Sequence, residues 1–206
     1  GLGLGYSYDK RNSPVKPTSG FIFGFDQSLA GVAGSNKYYK AVTNAKAYKS
    51  MLNEEVVLSA ELEGGYLKSF GGGTTSIVDR FRLGGNTLRG FEAFGIGPRV
   101  VDADPANLGT NYQEALGGNI YALARLEASF PIGLPEEYGM HGGLFFDAGS
   151  VWELDRTTAT KGSNTVNASS SAFELRSALG VSIFWDTTLG PLRFNFAKPL
   201  DYNASV

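Results

Sequence analysis

Along most of this chain apolar and polar side chains alternate one by one, the period-2 signature of strands with two unlike faces. Leu2, Leu4, Tyr6 and Tyr8 share one face, with glycines and a serine on the other. Residues 20–30 put Phe21, Phe23 and Phe25 together, and a third segment runs over 38–48. In 54–66, Val56, Leu58, Ala60 and Leu62 oppose Glu55, Ser59, Glu61 and Glu63. After a long interruption, 118–130 sets Ile120, Ala122, Ala124, Leu126 and Ala128 against Asn119, Arg125, Glu127 and Ser129. The segment 140–152 sets Leu144, Phe146, Ala148 and Trp152 against Phe145 and Asp147. In 174–185, Leu175, Leu179, Val181 and Ile183 oppose Glu174, Arg176 and Ser182, and finally Leu192, Phe194 and Phe196 oppose Arg193 and Asn195.

The pattern predicts about eight strands, mostly of roughly 9–13 residues, the length a tilted strand needs to cross a bilayer. Strands of a soluble sandwich are usually about 5–6 residues long. Aromatic residues fall at strand ends (Tyr8, Tyr66, Phe130, Trp152, Trp185), where an interfacial girdle places them. Two segments, 45–62 and 112–128, read as helices on propensity alone, but the parity of their charges favours strands.

Composition narrows the class. The 206 residues are 42% hydrophobic and 18% charged, with 28 Gly, too polar for helical membrane spans. Alternation spends only every second residue on lipid, so a transmembrane barrel tolerates this mixture. The expected fold is all-β: an antiparallel transmembrane β-barrel. A net charge of -2 argues against a nucleic-acid footprint. Absence of Cys removes disulfide scaffolds, thiol catalysis and Cys-ligated zinc. His141 is the sole His, which leaves neither a His metal cluster nor a Ser-His-Asp triad. Gly71-Gly72-Gly73-Thr74 lacks the Lys of a phosphate loop. Glu61 and Glu63 share a face as glycosidase acids do, but lumen salt bridges with Arg125 or Arg176 account for them more simply. No enzyme, metal or cofactor is expected. The first residues alternate like a strand rather than a leader, and the chain reads as a piece of a longer protein.

Connections alternate between short and long. Residues 157–171 are rich in Thr, Ser and Asn and read as a merely solvated loop. Residues 70–117 are different: Gly-rich, apolar, and carrying Arg80, Arg82 and Arg89. Long loops in compact domains are usually functional, and cationic groups beside a bilayer must find water or carboxylates.

Arg80-Phe81-Arg82-Leu83-Gly84-Gly85-Asn86-Thr87-Leu88-Arg89-Gly90-Phe91, followed by Gly95-Ile96-Gly97-Pro98-Arg99, resembles the sixth extracellular loop of the BamA family of outer-membrane protein assembly factors. Phe145-Phe146-Asp147-Ala148-Gly149-Ser150-Val151-Trp152 looks like that family's matching strand motif, and residues 189–200 are similar to its penultimate strand. The last motif favours this family over TamA and the two-partner-secretion transporters, which remain alternatives, as does a porin. The resemblance implies about eight strands of a sixteen-stranded barrel in the bacterial outer membrane, with the periplasmic POTRA domains and the lateral seam outside this segment. It implies partners in outer-membrane lipids and lipopolysaccharide, unfolded outer-membrane clients, and assembly lipoproteins reached through the absent domains. It also implies that the loop folds into the lumen and that Arg89 meets Asp147, with Phe145, Gly90 and Phe91 shaping the approach. Glu61, Glu63, Arg125, Glu127 and Arg176 are expected as lumen charges, some of which could substitute for Asp147. An ordinary loop arginine in water remains the plain alternative.

Overall fold

Strand pairing sorts the alternating residues into two continuous surfaces. The computed structural model describes residues 1–31, 37–52, 55–102, 115–161, 164–168 and 171–200. Its long strands are β1 (Leu2–Asp9), β2 (Gly20–Ala30), β3 (Tyr38–Met51), β4 (Val56–Ser69), β6 (Ile120–Pro131), β7 (Met140–Trp152), β10 (Arg176–Thr187) and β11 (Gly190–Pro199). Three short ones, β5 (Val100–Asp102), β8 (Thr158–Lys161) and β9 (Asn164–Ala168), lie in the long connections. The long strands form one antiparallel eight-stranded sheet in the order β1-β2-β3-β4-β6-β7-β10-β11.

Directly paired residues share a face, so the register fixes which side chains stand together. One row runs Ala47, Ala60, Leu126, Phe146 and Leu179 across five strands. With its neighbouring rows it makes an apolar surface on which Leu4, Leu62, Leu126, Leu179 and Phe196 are exposed, and among the described residues no second sheet covers them. So large a bare apolar face marks a membrane surface, and it excludes a sandwich. Asp9, Asp26, Glu61, Glu63, Glu127, Asp147 and Asp186 all fall on the opposite face, toward the lumen. The charged strand residues on the apolar face are Lys49, Lys68 and Lys198, each within three residues of a strand end. There a flexible stem can carry the ammonium out to the headgroups.

The sheet stays open: among the described residues β1 and β11 each pair on one side only. Closing eight strands would fill the interior with side chains, and here a loop occupies it instead. The wall nevertheless curls, for Lys16 in the β1–β2 turn donates to Asp186 on β10 at 2.6 Å.

Of the two segments with helical propensity, the parts 45–51, 56–62 and 120–128 are strand; 112–114 lie outside the described residues. The Thr/Ser/Asn-rich connection is not merely solvated. Its β8–β9 hairpin pairs with β5 of the other long loop, making a three-stranded sheet. Thr and Val have the β-propensity for this, but the partner strand is remote in sequence, so alternation alone does not reveal it.

Candidate functional site

The loop after β4 is built as a finger. Gly84 sits at φ 120, where a Cβ would stand 2.1 Å from the Glu92 carbonyl oxygen; only glycine lets the chain reverse that tightly. Thr87 Oγ1 accepts from the Gly84 amide at 3.0 Å, and the Gly85 amide reaches the Phe91 carbonyl at 2.9 Å, closing the tip. Leu83, Leu88 and Ile96 pack with Tyr121, Leu123 and Val151 of the lumen wall, and Phe81 and Phe91 lean on that cluster. Leu88 is fully buried, worth roughly 1.5–3 kcal/mol. Apolar packing therefore contributes to seating the finger, and the ion-paired tip fixes it to the wall.

Gly90, at φ 91, lies against the Ala178 and Ala197 methyl groups. That close approach turns Arg89 onto β7. Its Nε donates to Asp147 Oδ2 at 2.6 Å and its Nη2 to Oδ1 at 2.5 Å, a bidentate fork. The Arg89 amide adds a bond to Oδ2 at 3.2 Å, and Nη1 donates to Glu127 Oε2 at 2.6 Å. The guanidinium carbon lies 3.6 Å from the centre of the buried Phe145 ring, so the cation is stacked as well as bonded. The Arg89 side chain is 10% exposed and that of Asp147 0%. Burial works against the charge on Arg89, but the two carboxylates outweigh it and leave the guanidinium more basic than usual. Arg80 shifts the other way: burial depresses it, and Asp155 offsets only part.

Around this pair the lumen charges form a ladder. Lys46, Glu61, Arg125 and Asp147 are consecutive partners across β3, β4, β6 and β7, alternating in sign. Lys46 meets Glu61 at 3.1 Å, and Arg125 meets Glu61 at 3.0 Å and also Glu63. Arg193 on β11 reaches back across β10 and β7 to share Glu127 with Arg89. Four cations (Lys46, Arg89, Arg125, Arg193) thus meet four carboxylates (Glu61, Glu63, Glu127, Asp147), and all of them but Glu63 and Asp147 line a polar cavity of about 300 Å³. Such a balance seats groups; it does not present a field of one sign to a passing ion.

Arg89, Phe145, Asp147 and Glu127 are brought together with Gly90 beside them, Phe91 packs instead on the apolar cluster around Leu88, and Glu61, Glu63 and Arg125 adjoin the pair. Arg176 is not part of the cluster: although its parity faces the lumen, it bonds Glu174 at 2.9 Å and leaves Glu61 and Glu63 to Arg125 and Lys46. Its place three strands away from Glu61 in the sheet order is the reason. Arg82 donates to the Ile77 carbonyl. His141, near the start of β7, stacks on Phe184 with ring centres 4.6 Å apart. Lys46 and Arg193 join the cluster unforeseen: their polar parity is legible, but their partners depend on register.

A second anchor holds the finger's base at the rim. Asp155 accepts from the Thr75 amide at 2.5 Å and from Asn119 Nδ2 at 3.0 Å; Thr75 Oγ1 donates to Asn119 Oδ1, and Arg80 Nε to Thr75 Oγ1. Thr75 and Asp155 lie in loops without periodicity, so nothing in the sequence marks them. Bonds to a charged partner are worth about 1.5–3 kcal/mol. Asp155→Ala is therefore expected to speed hydrogen exchange at the Thr75 amide roughly ten- to a hundredfold while the amide of Arg89 stays protected. Equal acceleration at both would mean that the two anchors are one unit.

An uncovered apolar outer face, a charged lumen and an ion-paired loop seated inside define a class: the wall of a transmembrane β-barrel with an inward-folded loop. The chain belongs to the Omp85 superfamily, whose domain model matches residues 1–205. Outer membrane protein assembly factor BamA of Neorickettsia risticii (strain Illinois) is 30% identical over 93% of this chain and 23% of that protein. BamA of Neisseria meningitidis serogroup B is also 30% identical, over 96% of the chain and 26% of its own length. Sorting and assembly machinery component 50 homolog A of Xenopus laevis is 32% identical over 71% of the chain and 30% of its own length. The crystal structure of BamA from Haemophilus ducreyi lacking POTRA domains 1–3 superposes with a TM-score of 0.80 at 25% identity, covering 98% of this chain and 39% of that one. The chain thus spans about a quarter of the length of the bacterial relatives it matches.

Proposed function

We propose that residues 1–206 are the C-terminal wall of an outer-membrane barrel that folds and inserts other β-barrel proteins into the bacterial outer membrane. The observation that carries this reading is the seating of Arg89 on Asp147 by a finger that fills the lumen face of an Omp85 wall. Nothing in that arrangement performs a bond-making step. It fixes a loop inside the barrel, and so holds the shape of the wall. Arg89, Gly90 and Phe91 on the loop, with Phe145, Asp147 and Glu127 on the wall, are the latch; Glu61, Glu63, Arg125, Lys46 and Arg193 extend it sideways.

BamA relatives align over 93% and 96% of the chain and the vertebrate relative over 71%, which favours the bacterial machine. A porin reading is disfavoured because the finger and a neutralised charge ladder stand where ions would pass. A polypeptide transporter of the two-partner-secretion or TamA type is the second reading. Under the proposal the further partners are unfolded outer-membrane clients, lipids of both leaflets including lipopolysaccharide, and accessory lipoproteins reached through periplasmic domains beyond this segment.

The test uses the full-length protein in liposomes with an unfolded, urea-solubilised barrel client. Folded client, read by heat-modifiable mobility and protease protection, should accumulate at least about tenfold faster than in protein-free liposomes, each tenfold being about 1.4 kcal/mol of barrier. Passage of an extended polypeptide into the lumen of the liposomes without insertion would favour the transporter instead.

A further inference from the structure

The apolar face is not uniformly packed: a groove crosses it between two neighbouring rows of outward side chains. Leu58, Ala128 and Leu144 stand on one side, and Ala60, Leu126 and Phe146 on the other. Its volume is about 490 Å³, and its floor is the backbone of the intervening row, Ser59 to Phe145. Ala60 and Ala128 make the depth, because a methyl group stands where the flanking positions carry Leu or Phe. From Leu144 and Leu179 the groove continues past Val181 and Phe196 toward β11.

Its two ends are charged alike. Lys49 lines the β3 end, close to the β3–β4 turn, and Lys198 lines the β11 end, close to the opposite end of that strand. Adjacent strands lie about 4.8 Å apart, so the six strands from β3 to β11 carry the groove roughly 24 Å. Strands of a membrane barrel tilt by about 35–45°, and a groove running perpendicular to them climbs obliquely from one leaflet to the other. The short-turn end, which holds Lys49, faces the periplasm in such barrels. Lys49 makes no ion pair among the described residues, and every carboxylate of the barrel strands lies on the other face. The strands therefore offer phosphate cations and no carboxylate on their lipid face.

We propose that the β3 half of this groove binds one anionic phospholipid of the periplasmic leaflet, its phosphate on Lys49 and an acyl chain lying between the Leu58–Leu144 and Ala60–Phe146 walls. Apolar burial supplies affinity at about 25 cal/mol per Å², and the ammonium selects the headgroup. Ala60 and Ala128 set the depth available to the chain. Lys68, on the same face near the end of β4, lies outside the groove and serves as the control.

The test is native mass spectrometry of the full-length protein released from mild detergent micelles containing equal phosphatidylglycerol and phosphatidylcholine. One phosphatidylglycerol should be retained, preferred over phosphatidylcholine by about fivefold or more, about 1 kcal/mol for one charge near the surface. Lys49→Gln should bring the preference to near unity, Lys49→Arg should keep it, and Lys68→Gln should leave it unchanged. Ala128→Phe, which fills the groove, should abolish retention of either lipid while the barrel remains heat-modifiable. Retention by wild type without headgroup preference, or an equal loss in the Lys49 and Lys68 variants, would overturn the proposal. So would undiminished binding in Ala128→Phe. Should Ala128→Phe fail to fold, the comparison of Lys49→Gln with Lys68→Gln decides alone.

Discussion

Arg89→Ala in the full-length protein is expected to release the finger and reduce client insertion by about two orders of magnitude. The partner left behind sets the cost. Asp147 is fully buried and accepts three bonds from Arg89, two from the guanidinium and one from the amide. Breaking a buried pair from one side costs about 3–5 kcal/mol, chiefly because a charge is left without its partner. The remaining exposure of Arg89 puts the cost near the lower end. At about 3 kcal/mol the seated fraction of the loop falls more than a hundredfold relative to the unseated one. Arg89→Lys should be intermediate: it keeps the charge but loses the fork and the flat stacking on Phe145. Glu127→Gln should be milder than Asp147→Asn, since Glu127 takes one Arg89 bond and Asp147 takes the fork. Depletion of the wild-type protein from cells carrying each variant gives the order directly, and a fully complementing Arg89→Ala would end the latch reading.

Gly180→Val is expected to be nearly as damaging, although residue 180 touches no charge. Gly180 pairs with Phe145 across β10 and β7, and the Phe145 ring lies over the space a side chain would take. A Cβ there would stand 2.4 Å from Phe145 Cζ and 2.3 Å from the Phe196 carbonyl oxygen. The sheet must distort at the carbonyl and the ring must turn as well, so Arg89 loses the surface beneath it. Overpacking costs about 1–3 kcal/mol by itself, to which the weakened latch is added. The expected result is a lower heat-modification midpoint together with an insertion defect close to that of Arg89→Ala. Wild-type insertion by Gly180→Val with Phe145 displaced would separate the stacking from the latch.

The wall was legible because a membrane imposes its own grammar on sequence. Leu2 to Tyr8 and Leu144 to Trp152 can be read as strands since lipid rejects a polar residue on one parity and water accepts one on the other. The same rule placed Asp147, Glu127 and Arg125 on the lumen side. Which charges meet was another matter. Glu61 and Glu63 sit beside Arg125 and not Arg176 because of strand order, and strand order depends on what the long loop skips. Arg193 reaches Glu127 only because the wall curls, and the β5–β9 pairing joins two loops that have no apolar pattern to announce it. Thr75 and Asp155 were invisible for the same reason: hydrogen bonds between irregular segments leave no periodic trace.

The central claim is that the Arg89 pair seats the finger against the lumen wall. Hydrogen exchange at the amide of residue 89 reads this directly, because in the seated finger that amide donates to the buried Asp147 Oδ2 at 3.2 Å. In the full-length protein it should be protected, and at least about tenfold less so when Arg89 is replaced by Ala, a tenfold change being about 1.4 kcal/mol. No protection in the unaltered protein, or equal protection in both, would contradict it.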